Sequence, residues 1–168
     1  LYEGGSFTVP LAGPSGWLVS VGPEGQATDP DYDNLDQVST EMVRLSLTGS
    51  SPKGPVQLRL SATQASLGEI EEQINYTPGM LDLAPFLTQH AGIADSFFDI
   101  YFELDIGGTL VHNAEPLRLR SVITHKPPYA GERYDSLGPV NLLDASGRLV
   151  GVLTRARYVP TPQLDWGD

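Results

Sequence analysis

The residues with the strongest claim to chemistry lie in one short run, Asp29-Pro30-Asp31-Tyr32-Asp33-Asn34-Leu35-Asp36, four carboxylates within eight positions. Aspartates at i, i+2 and i+4 can turn three hard oxygens inward from a single loop, which is the donor chemistry calcium takes. The first half of the run matches a calcium loop. Beyond it, Asn34 stands where such a loop wants Gly, Thr40 occupies its twelfth position, and Glu41 comes one residue late. The expectation is a nonstandard calcium site with Asp29, Asp31, Asp33, Asp36 and Glu41 as ligands, calcium being the one cofactor these residues suggest. The competing reading is an acidic, solvated loop that leads into the strand from Val38.

Other chemistries lack their parts. The chain has no Cys, which removes thiolate metal sites, disulfides and a Cys nucleophile. Its histidines, His90, His112 and His125, fall near separate strand ends and make a poor shared metal site. No Gly-x-Ser-x-Gly elbow occurs, and Glu69, Glu71, Glu72 and Glu103 offer carboxylates without singling out the pair that glycoside hydrolysis needs. Lys53 and Lys126 are the only lysines, both in Pro-flanked loops, so a Lys–Asn crosslink is admitted only by count. The expectation is that the chain is not an enzyme. Aromatic faces can stack on sugar rings, and Tyr101, Tyr129 and Tyr134 are the candidates for such a platform.

The elements that must position these residues are short runs of period two between turn residues. Phe98, Ile100, Phe102, Leu104 and Ile106 fall on one face of a strand, and Asp99, Tyr101, Glu103 and Asp105 on the other. Gly107-Gly108 turns the chain, after which Leu117, Leu119 and Ile123 alternate with Arg118 and Arg120. This hairpin is expected to set the two arginines opposite Asp99 and Glu103 in a cross-strand ladder. Val43, Leu45 and Leu47 form another strand, with Val56, Leu58 and Leu60 as its partner across the loop 49–55. Asp144-Ala145-Ser146-Gly147 suits a type I turn between two further strands.

Seven or eight strands follow, with Pro85 confining any helix near 81–90 to one or two turns. The predicted fold is all-β, an antiparallel β-sandwich of immunoglobulin-like or jelly-roll-like type. Its sheets are expected to pack around Val43, Leu45, Leu58, Phe98, Ile100, Phe102, Leu104, Leu119 and Val152. At 168 residues the chain fits one domain over 1–160, with 161–168 a linker or the start of a following module. Ten Lys and Arg against twenty-one Asp and Glu give a net charge of -11, which repels nucleic acid and anionic lipid. No apolar run approaches the roughly 20 residues of a membrane-spanning helix.

The stretches Ala94-Asp95-Ser96-Phe97-Phe98-Asp99-Ile100-Tyr101-Phe102-Glu103 and Leu110-Val111-His112-Asn113-Ala114-Glu115-Pro116-Leu117-Arg118 resemble an uncharacterised module of large secreted bacterial surface proteins. The ending Leu164-Asp165-Trp166-Gly167-Asp168 looks like the start of a GEVED-type segment of such proteins. The resemblance implies an extracellular or cell-surface chain of β-modules and brings no catalytic residues. The function expected is therefore a noncatalytic structural or adhesive module, partnered by other modules of its chain or by neighbouring copies. Assembly would run through a sheet edge that accepts the segment carrying Phe7, Val9 and Leu11. A carbohydrate-binding module that uses the tyrosines to hold a glycan is the alternative.

Overall fold

The structure is a computed structural model that describes residues 5–85, 92–126, 128–129 and 131–161. His90, the second half of the 81–90 helix expectation and the stretch from Leu164 to Asp168 lie outside the described residues; over 81–85 there is no helix. No helix among the described residues is long and apolar enough to cross a membrane.

The chain is all-β. Its strands are β1 (Leu11–Ala12), β2 (Ser15–Val19), β3 (Gln37–Ser51), β4 (Gly54–Leu60), β5 (Ser66–Glu72), β6 (Ala94–Ile100) and β7 (Phe102–Ile106). They continue as β8 (Thr109–His112), β9 (Leu117–Ile123), β10 (Tyr134–Ser136), β11 (Val140–Leu143), β12 (Leu149–Leu153) and β13 (Arg157–Tyr158). All named pairings are antiparallel, and they resolve into a simple pattern. β3 runs unbroken through both halves of the sheet, pairing with β4 in one half and β5 in the other. The pass from β4 to β5 is matched in the same way by β7 and β6, then by β8 and β9, by β11 and β10, and by β12 and β13. Each long, bent pass lies beside its chain neighbour, so an antiparallel, sandwich-like fold is built as a meander and both halves bury one core.

Alternation explains the core where strands are regular. Ala94, Ser96, Phe98, Ile100, Phe102 and Leu104 are buried at every second position, and Leu117, Leu119, Ser121 and Ile123 repeat the pattern on β9. The tight turn from β7 to β8 rests on Gly107 and Gly108, at φ 58° and 90°, as a primed hairpin turn requires of both central residues.

Two expected core residues are corrected. Val43 and Val152 are each 48% exposed. On β3 the register passes from Gly16 opposite Arg44 to Trp17 opposite Met42, skipping Val43, and on β12 it skips Val150. Each skipped residue is a β-bulge, and one extra residue reverses which positions face inward. Thus Val38, Thr40 and Met42 point into the core before the bulge and Leu45 after it. Val43→Ser is expected to leave the free energy of unfolding, read from denaturant melts, within about 0.5 kcal/mol of wild type, the range for a solvated site. A loss of several times that size would place Val43 back in the core.

The arginine ladder forms with a different pairing. Arg118 grips Asp99 through two bonds of 2.7 and 2.6 Å, but Arg120 reaches Asp95 and Glu103 takes Arg59. The strand that returns opposite Glu103 is β8, whose His112 faces it, while β9 lies opposite β6. These pairs are solvent-exposed and contribute little to stability.

Candidate functional site

The acidic loop is sorted by strand parity. Asp29, Asp31 and Asp33 converge, with one ligand atom from each lying within 4.8 Å of the others. The loop is shaped from within: Asp29 accepts from the Asp33 and Asn34 amides at 3.1 and 3.0 Å, Asp33 accepts from the Leu35 amide at 2.8 Å, and Tyr32 and Asn34 take positive φ. Asp36 is corrected as a ligand. It shares parity with Val38, Thr40 and Met42, is drawn inside, and accepts from Asn75, Gly79 and Met80. Glu41, of opposite parity, stands on β3 between Leu18 and Leu67 and does not join the three.

Beneath the loop lies the outer face of β5. Burial lifts the Glu69 carboxyl above its usual range and the charge of Asp31 lifts it further, against a pull from Arg118. Glu71 is raised first by burial, then by Asp33, Glu69, Asp31 and Asp95. Asp31, Asp33, Glu69 and Glu71 thus share one negative field, which Arg118 relieves only in part because its guanidinium is paired with Asp99, while Arg120 is paired with Asp95. A shallow cleft of about 200 Å³ opens beside it, lined by Thr28, Pro30, Gln37 and Ser39 among others.

The inner face of the same half holds a second polar group that sequence reasoning missed. Glu72 is buried in phase with Ser66 and Ile70; it accepts from the amides of Asp36 and Asp82, each at 3.1 Å. Asp82 in turn accepts from the Tyr76 and Thr77 amides at 2.7 Å. Three buried carboxylates therefore fix the loop 73–82 to the start of β3, each satisfied by backbone donors. The signal was present in the parity of Glu72, although its partners lie in an aperiodic loop.

The tyrosines do not form a platform. Tyr134 is corrected from an exposed to a fully buried residue, its hydroxyl donating to Ser96 Oγ at 2.9 Å and its ring packed against Trp17 and Phe98. Tyr129 is exposed beside His125, and Tyr101 lies at the β6–β7 junction. Leu11 pairs with Gly49 of its own chain and Val9 packs against the core, so donating this segment to a neighbour would first require unpairing it. His112, the last residue of β8, and His125, beyond the end of β9, are separated by the length of β9.

The fold and these sites define an all-β, antiparallel, sandwich-like domain with an acidic outer face. No protein-family model matches the chain, and no curated protein matches it significantly. It is similar in structure to DynF from the Dynemicin Biosynthesis Pathway of Micromonospora chersina, with a TM-score of 0.58 and 21% identity. The match covers 74% of this chain and 58% of that one, so this chain spans less than two thirds of DynF. This likeness of fold corrects one expectation. The chain was expected not to be an enzyme because the parts of the familiar catalytic sites are missing from its sequence, and that exclusion falls, since a protein of a biosynthetic pathway is built on a similar fold.

Proposed function

We propose that the chain is a cation-binding β-sandwich module of a larger extracellular or cell-surface protein, with calcium held by Asp29, Asp31 and Asp33. The convergence of these three carboxylates within 4.8 Å carries the reading. Hard oxygen donors suit calcium, and extracellular modules of this type bind it in roughly the 10⁻⁴–10⁻³ M range. The raised carboxyls of Glu69 and Glu71 support it, because a bound divalent cation would relieve the field that Asp31 and Asp33 impose on them. The cleft lined by Thr28, Pro30, Gln37 and Ser39 adjoins these aspartates in the chain, and a ligand or a neighbouring module seated there would add further oxygen donors.

Calcium at about 5 mM is expected to stabilise the fold by about 1.4 kcal/mol for a dissociation constant near 0.5 mM, because it binds the folded state alone. For a domain of this size that is a rise of roughly 3–6 °C in Tm. The comparison is a thermal melt with calcium against one with excess chelator, repeated on Asp31→Ala/Asp33→Ala. The rise should vanish in the variant. Superimposed curves for the wild-type chain would overturn the reading.

A further inference from the structure

The cleft beside the acidic loop arises from a change of partner along the edge of β3 that faces away from β4 and β5. β2 holds that edge as far as Ser20, whose amide donates to Ser39 O at 2.9 Å. The chain then leaves for a turn in which the Gly22 amide donates to Gln26 O, and it returns at Thr28, which exchanges bonds of 3.2 and 2.7 Å with Gln37. Between these two contacts the edge is uncovered, and an opening of about 200 Å³ forms with buried Val38 in its wall.

The walls carry no charged side chain. Ser20, Thr28 and Ser39 offer hydroxyls that no protein group engages among the described residues, and the Gln37 side-chain amide donates to Glu69 at 3.1 Å. Three observations set the aspartates at the rim. Thr28 and Pro30 line the cleft and flank Asp29 in the chain. Ser39 stands opposite Glu69, and Gln37 opposite Glu71, in the β3–β5 register. The charge of Asp31 is felt at Glu69, and that of Asp33 at Glu71. Tyr32, between Asp31 and Asp33, adds an aromatic face to the same loop. It is 87% exposed, packs on no other ring among the described residues, and is held at φ 63°, a conformation that is costly for a bulky side chain.

Chemistry narrows the occupant. An anion would meet the field of Glu69 and Glu71, and a cation would compete with calcium for the aspartates. A neutral molecule rich in hydroxyls escapes both conflicts and matches walls made of hydroxyls and an amide. Calcium takes about 6–8 oxygens, so three aspartates leave positions that a vicinal diol can fill. The volume lies below the roughly 300–1,000 Å³ of sites for drug-sized ligands, which suits a single sugar ring.

We propose that the cleft is a calcium-dependent site for one ring of a neutral saccharide, with two neighbouring ring hydroxyls completing the cation's shell and one ring face stacked on Tyr32. The proposal rests on the calcium reading of Asp29, Asp31 and Asp33 and adds the class of ligand to it. Tyr101 and Tyr129 take no part.

Saturation-transfer NMR tests the site, with glucose, mannose, galactose and fucose at millimolar concentration and calcium at about 5 mM, above the dissociation constants of extracellular sites. At least one sugar is expected to show transfer that excess chelator abolishes. Tyr32→Asn removes the ring and keeps a residue that tolerates positive φ. Ser20→Ala/Ser39→Ala removes two wall hydroxyls. Each variant should bind the sugar roughly fivefold more weakly. Both should keep the calcium-induced rise in Tm, which also reports that they are folded. Transfer to no sugar with the calcium rise intact would overturn the saccharide site and leave the cation reading standing. Transfer that survives chelator, or that neither variant weakens, would overturn it as well. Absence of both the rise and the transfer would remove both readings. The wild-type comparison with chelator decides even if a variant does not fold.

Discussion

Lys126→Met is expected to stabilise the domain by about 2–4 kcal/mol at about pH 6, a gain that shrinks as pH rises. The residue is 6% exposed, lies on an indole and has no counter-ion among the described residues, so the ammonium form is held against its solvation. Its pKa falls from 10.5 to about 7 on folding. The folded chain thus binds that proton less tightly than the unfolded chain. Between about pH 7 and the ordinary lysine range, unfolding takes up a proton and stability rises with pH. Below about pH 7 the cost of burying the charge is present in full, and methionine of similar length removes it. Melts of the two chains at about pH 6, 8 and 9.5 should show the variant higher by roughly 5–12 °C at the acid end, with the curves converging at the basic end. A variant that melts lower at pH 6 would mean that an anion meets the amine.

The second large effect runs the other way. Glu72→Ala is expected to cost about 3–5 kcal/mol, because it strands two buried backbone donors, each worth about 1–3 kcal/mol when left unpaired. Those donors are the amides of Asp36 and Asp82, which tie the start of β3 to the loop 73–82. Hydrogen exchange should quicken first at these two amides and at Gly79 and Met80, which depend on Asp36. Burial raises the Glu72 carboxyl above its ordinary 4.5, the two amides pull it back, and the charges of Asp82 and Asp36 raise it again. A raised carboxyl means that the folded chain holds the proton more tightly, so this group's contribution grows as pH falls toward that value. The deficit of the variant should therefore widen as pH falls through the acid range. A deficit under about 1 kcal/mol would show that water replaces the carboxylate at no great cost.

Much of the fold is legible wherever alternation runs unbroken. From Ala94 to Ile106 and from Leu117 to Ile123 every inward residue is recoverable by counting in twos. The count fails at Val43 and Val152, where a bulge reverses the phase, and a bulge carries no reliable residue signature. Parity also divides the acidic run: Asp36 belongs with the core residues that follow it, a distinction visible only once the strand is extended backward past Val38. The ring cluster around Trp17 and the approach of Lys126 join β2, β10, β13 and a loop. Such long-range meetings depend on how the sheet curves back on itself, which local periodicity does not report. Tyr134 lies in a three-residue strand, too short to show a period at all.

The meander has a consequence for how the molecule reaches this state. Each pass hydrogen-bonds to the one before it, so every closure of the sheet joins chain neighbours, although the connections 20–36 and 73–93 are long. Hairpins can therefore zip one after another as the polypeptide emerges during synthesis, each using the last as its template. The meeting of Ser15 with Tyr158, separated by 143 residues, cannot form until the final pass arrives. Quenching of Trp17 by Tyr158 should thus be the last spectroscopic event of folding, and a fluorescence trace that lags backbone circular dichroism would time the closing of the seam.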